Sequence, residues 1–126
     1  MRSLLPRFTP SSRRIEDAME RTLDGRYIVV GGRRWRAADP LLADETTAAL
    51  LSALGRARAA VRNTGGDERE RARDRVKLAK EGLGERGVPW WDLTLPERER
   101  RARLRLNELS TAEDADAELS DRGEDG

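Results

Sequence analysis

Two consecutive glycines, Gly31 and Gly32, stand between the runs YIVV and RRWR and constrain the chain more than any other feature. β-branched and aromatic residues favour a strand before the glycines, and paired glycines supply the positive φ angles of a two-residue primed turn. The chain must therefore return on itself as a β-hairpin. That register sets Val30 opposite Arg33, Val29 opposite Arg34, Ile28 opposite Trp35 and Tyr27 opposite Arg36. One face then carries Ile28, Val30, Trp35 and Ala37, with Arg33 at the turn end. The other carries Tyr27, Val29, Arg34 and Arg36. A lone two-stranded hairpin is marginal in water, so its apolar face needs a cover from elsewhere in the chain.

The residues that follow can supply one. Asp39 and Pro40 open a helical region, with Asp39 as a cap and Asp44 as a second cap nearer the periodic segment. Thr47, Leu50, Leu54, Ala57 and Val61 recur at alternating spacings of three and four, which predicts one apolar helical stripe. Residues 63–66 break the pattern, Asp67 with Glu70 forms a capping arrangement, and Arg69, Ala72, Val76, Ala79 and Leu83 restart it. Two helices joined by so short a glycine turn must run antiparallel, as an αα-hairpin. Gly82, Gly84 and Gly87 read as helix termination, since no Walker spacing accompanies them. Trp90 and Trp91 then bring two large rings back, which with Trp35 form an aromatic core between the β-hairpin and the helix pair.

The flanks read differently. A flexible start precedes a short amphipathic helix over residues 11–23, capped by Ser12, with Ile15, Met19 and Leu23 on one face and an end at Asp24 and Gly25. Thr94 and Glu97 make a capping box that opens a helix to about Leu109; its arginines point nearly all round, which predicts an exposed, charged helix. Residues 111–126 have the acidity and small side chains of a disordered tail. The expected fold class is thus α+β, a short β-hairpin packed on an antiparallel αα-hairpin, with flanking helices and a disordered acidic tail. Its parts are residues 1–25, a compact region at 26–92, a charged helix at 93–110 and the tail at 111–126.

Composition narrows the function. The 126 residues include no Cys and no His, which removes the thiol nucleophile, the zinc thiolate site, the usual general base and the commonest metal ligand. Glu81, Glu85 and Lys80 lie near the LGERG turn without a second group at a working distance, so the chain reads as a non-enzyme with no catalytic residue, cofactor or metal. No apolar run approaches the roughly 20 residues that span a bilayer, and a cytoplasmic location follows. Charge is unevenly spread: residues 111–126 hold seven acidic side chains and one Arg, a balance of −6 that leaves +7 on residues 1–110 from a total of +1. Nearly all of that positive charge is arginine, the better planar donor for carboxylate and phosphate.

The motifs RYIVVGGRRWRAADP at residues 26–40 and LGERGVPWW at residues 83–91 resemble a small bacterial family with the patterns RYIVVxGRRWRAxDP and LGERGxPWW. Members are sometimes given a Tol-type biopolymer-transport label. The resemblance covers about half the chain and implies no catalytic or binding residue.

Two functions fit these features. The first is a non-enzymatic protein-interaction or self-associating module, in which the stripe of Leu50, Leu54, Val76 and Leu83 is shared with a partner protein or a second copy, because so small a segment gains little from its own core. The second is an arginine-mediated nucleic-acid-binding protein. It would use Tyr27 as a stacking surface with Arg34, Arg36, Arg98, Arg101 and Arg105 against phosphate, regulated by a tail that folds over the same arginines.

Overall fold

The computed structural model describes residues 19–125. The fold is α+β, with a three-stranded antiparallel sheet, β1 (Met19–Arg21), β2 (Tyr27–Val30) and β3 (Arg33–Arg36), and three helices, α1 (Asp44–Asn63), α2 (Gly66–Leu83) and α3 (Leu95–Asp125). A single 3-10 turn, Trp90–Asp92, lies between α2 and α3. The chain divides into two compact units, one ending at Ala37 and the other beginning at Ala38. Among the described residues no helix is long and apolar enough to cross a membrane.

In the sheet unit the predicted hairpin register holds: Tyr27 pairs with Arg36, Ile28 with Trp35, Val29 with Arg34 and Val30 with Arg33. Gly31 and Gly32, at φ 58° and 80°, make the turn. The expected helix over residues 11–23 is corrected at its end, because Met19–Arg21 is a strand paired antiparallel to β2, with Glu20 opposite Val29; the part before residue 19 lies outside the described residues. Asp24 and Gly25 do not terminate a helix but turn β1 into β2. The Asp24 carboxylate accepts from the Thr22 hydroxyl at 2.7 Å and from the Arg26 N–H at 3.1 Å, while Thr22 N–H donates to the Tyr27 carbonyl. Leu23, expected on an apolar stripe, sits at this turn fully exposed.

The helical unit starts with Asp39, which caps a turn and not a helix: its Oδ1 accepts from Leu41 N–H at 2.9 Å. α1 begins later, at Asp44, without a side-chain cap of its own; Ala43 N–H donates instead to Glu99 of α3 at 3.2 Å. No side chain caps α2 either, so the Asp67 arrangement does not form. α2 closes as predicted at a glycine. Gly84, at φ 89°, donates to the Glu81 carbonyl while Glu85 donates to that of Lys80, the paired bonds of a Schellman motif.

The antiparallel α1–α2 pair buries Leu50, Ala53, Leu54 and Ala57 against Ala72, Ala79 and Leu83. α3 is the third member of this core and not an exposed helix, since Ala102 and Leu109 are buried in the same cluster. Leu50, Leu83 and Leu109 are fully covered, and each contributes on the order of 2 kcal/mol. The capping box at its start is present, with Thr94 N–H donating to Glu97 at 2.8 Å and Glu97 N–H to the Thr94 hydroxyl at 3.2 Å. The helix does not stop near Leu109; it runs on through the acidic residues to Asp125. Partners on the other two helices hold its first turns beyond Leu109. Glu113 takes a two-pronged contact from Arg56 at 2.8 and 3.2 Å, and Asp116 bridges Arg71, at 2.8 Å, and Arg75.

The three tryptophans are divided between the two units. Trp90 is buried in the helical unit and meets Trp91 edge to face at 5.1 Å, whereas Trp35 is 43% exposed in the sheet unit.

Candidate functional site

Most of the side chains that sequence reasoning assigned to binding are engaged in holding the fold. Leu50, Leu54 and Leu83 are withdrawn from any shared interface because α3 covers them within the same chain, and Val76 packs half-buried at the edge of that core. Arg98, proposed for phosphate, instead lies 3.4 Å from the buried carboxylate of Asp39, with its guanidinium 5.2 Å from the centre of the Trp90 ring and its Nε donating to the Leu93 carbonyl. Arg101 donates to the Val88 carbonyl at 2.6 Å. Arg105 is held between Glu81 at 3.0 Å and Glu108 at 2.7 Å. Arg98 and Arg101 fasten α3 to the turns around it, and Arg105 fastens it to Glu81 of α2.

The hairpin places its own candidates differently. Arg34 stacks over Tyr27 on one face of the sheet and Arg33 over Trp35 on the other, each guanidinium 4.3 Å from the ring centre. Tyr27 therefore supports an arginine and does not offer that ring face to a base, while Arg36 is half-buried opposite it.

The site that sequence reasoning missed is a groove of about 460 Å³ between α1 and α2, lined by Arg58, Val61, Arg62, Arg73, Val76 and Arg86. Its floor is apolar and its rim is four guanidinium groups. Arg58 and Arg62 stand one turn apart on α1, Arg73 faces them from α2, and Arg86 enters from the turn after Gly84. Arg73 contacts Glu70 at 2.7 Å in a pair more than half exposed, but Arg58, Arg62 and Arg86 make no ion pair with a described residue. At 100° per residue, Arg73 lies about 200° around α2 from Arg71, so the groove opens on the flank turned away from α3. The αα-hairpin thus has two arginine-bearing flanks. On one, Glu113 and Asp116 neutralise Arg56, Arg71 and Arg75; on the other Glu70 pairs with Arg73 and Glu85 lies near Arg58 and Arg86, leaving a cationic excess among the described residues.

Two titratable groups beside the groove are shifted by their surroundings. Burial pushes the Glu85 carboxyl above its ordinary 4.5, against the opposite pull of Lys80, Arg58 and Arg86. Burial likewise lowers the Lys80 ammonium from 10.5, helped by repulsion from Arg86 and Arg58 and opposed by Glu85. Burial is thus the main cause of both shifts, and the neighbouring arginines add to it at Lys80 and oppose it at Glu85. Among the described residues no three His, Cys, Asp or Glu side chains come together to hold a metal ion. Arg58, Arg62, Arg73 and Arg86 lie on three separate elements, and only the pairing of α1 with α2 brings them together.

Fold and groove define a small α+β protein with an arginine-rimmed groove on its helical unit. No protein family matches the chain, and no curated protein or solved structure does so either.

Proposed function

We propose that this chain is a non-enzymatic protein-interaction module, and that the groove between α1 and α2 receives an acidic helical segment with an apolar anchor. The observation that supports this is the rim of Arg58, Arg62 and Arg86, which make no ion pair with a described residue and outnumber the nearby Glu85, around Val61 and Val76. Guanidinium groups pair with carboxylates through parallel hydrogen bonds, and a valine floor favours a ligand that also carries apolar side chains. A bare phosphate backbone would leave that floor wet. The probe is a labelled helical peptide of glutamate and leucine, titrated by fluorescence anisotropy against the full chain. Saturable binding that falls at least tenfold in the Arg58→Ala/Arg62→Ala variant is expected. Equal binding by the variant overturns the reading.

A second reading rests on the hairpin. Between residues 19 and 37 there are five arginines against two acids, and two of those arginines are held over aromatic rings, one on each face of the sheet. Such planes can stack on unpaired bases while neighbouring cations take phosphate. Single-stranded DNA titrated at low salt should then bind in an Arg33→Ala-sensitive and Arg34→Ala-sensitive manner, with affinity falling steeply as salt rises.

A further inference from the structure

We infer that the occupant of the groove is the acidic end of α3 from a second copy of this chain, so that the protein associates head to tail. The inference rests on the groove reading above and names the partner. The αα-hairpin already binds this segment on its other flank: Arg56 grips Glu113, and Arg71 with Arg75 grips Asp116, alongside the buried Leu109. That contact uses one face of α3. Asp114 and Glu118 lie on the opposite side of the helix, exposed and without an ion pair to a described residue, with Ala115 and the exposed Leu119 beside them. The helix therefore carries acidic side chains on two faces, and the described residues match only one of them.

That second acidic face fits the cationic groove in spacing as well as in charge. Asp114 and Glu118 are four residues apart on α3, and Arg58 and Arg62 are four residues apart on α1. Both pairs are therefore separated by about one helical turn, roughly 6 Å. Two carboxylates can then meet two guanidinium groups at once, while Leu119 or Ala115 reaches toward Val61 and Val76. Arg73 and Arg86 close the other side of the rim. Donor and acceptor surfaces are different patches of the helical unit, since α3 sits on the flank away from the groove. A contact between unlike patches leaves a groove open at one end and an acidic face at the other, so the association is heterologous and propagates beyond a pair unless it closes into a ring.

The test uses sedimentation velocity on the full chain. At low salt the wild type should show a mass that rises with concentration past that of a dimer, and raising the salt should return it to the monomer. Arg58→Ala/Arg62→Ala removes the groove's charge and Asp114→Asn/Glu118→Asn removes that of the acidic face. Each variant alone should be monomeric. A one-to-one mixture should stop at the heterodimer, because it holds one intact groove and one intact acidic face. A wild type that stays monomeric at low salt overturns the inference, as does wild-type-like association of either variant. The glutamate–leucine peptide separates the two levels: binding to the Asp114→Asn/Glu118→Asn protein, together with a monomeric wild type, rejects the second copy while leaving the groove reading standing. Failure of the peptide to bind rejects both.

Discussion

The backbone N–H of Asp39 donates to the carbonyl of Leu83 at 2.8 Å, which ties the end of one sequence motif to the start of the other. Around that bond lie the Gly84 turn, the Trp90 ring packed on it, and Arg98 reaching over from α3 to the Asp39 carboxylate. The spacing between the two motifs in the chain is therefore the length of an αα-hairpin whose ends meet.

Asp39 is the first test of that junction. Its side chain is almost wholly buried, and Arg98 opposite is only slightly exposed, so removing the carboxylate strands a guanidinium against Trp90. Asp39→Ala should lower the free energy of unfolding by about 3 kcal/mol. Urea denaturation of Asp39→Ala, Arg98→Ala and the double variant should show the double change costing clearly less than the sum of the singles.

Two glycines are fixed by their surroundings. A Cβ on Gly84 would stand 2.9 Å from the Trp90 ring on a backbone with φ 89°, and one on Gly82 would stand 2.7 Å from Leu50 Cδ2 where α1, α2 and α3 converge. Gly84→Ala and Gly82→Ala should each cost about 1–3 kcal/mol, the first through strain and the second through overpacking. Thermal unfolding checks both, with Gly55→Ala, which meets nothing within 4 Å, as a control that should not be destabilised.

How much of this was legible depended on whether the cause was local. The β-hairpin and the two helical stripes were readable because Gly31, Gly32, Leu50, Leu54, Ala79 and Leu83 act through periods of two or about 3.6 residues. β1 was not, because three residues carry too little alternation, and the chance spacing of Ile15, Met19 and Leu23 imitated a helix. The neighbouring Asp24 and Gly25 were themselves a turn signal of the kind that joins two strands. The acidic stretch looked solvated because nothing near Glu113 or Asp116 announces Arg56, Arg71 and Arg75 far upstream. The groove was hidden for the same reason: its four arginines gather only after α1 and α2 have paired.

Glu85 yields a pH dependence whose sign can be worked out. Its folded value lies above the ordinary 4.5, so between that value and the raised one the folded chain binds more protons than the unfolded chain. Stability therefore falls as pH rises through this window, and the loss persists above it. Glu85→Gln should be more stable than the wild type at neutral pH, with the difference shrinking to nothing below about 4.5. Lys80 acts with the opposite sign at the alkaline end, where its lowered value makes stability rise as pH climbs toward 10.5. Denaturant unfolding of wild type and Glu85→Gln across the acid range checks the first claim, and a variant less stable than wild type at every pH would refute it.

Deleting residues 111–126 tests the role of the acidic segment most directly. A tail that merely folds over a basic surface could be removed without loss of stability, and the cut chain would bind nucleic acid more tightly at low salt. Asp116 argues for a different outcome, because it is the acid that faces Arg75, a residue only 9% exposed inside α2. Removing that carboxylate leaves a desolvated guanidinium without its counter-charge, a change that costs about 3 kcal/mol or more. Glu113 is in another position: Arg56 opposite it is more than half exposed, and such pairs contribute at most about 1 kcal/mol. Asp116→Ala should accordingly reproduce most of the stability lost on deletion, while Glu113→Ala should stay close to wild type. Urea unfolding followed by circular dichroism measures all three, and a deletion as stable as the full chain with a gain in low-salt DNA affinity would restore the masking tail in place of a packed helix.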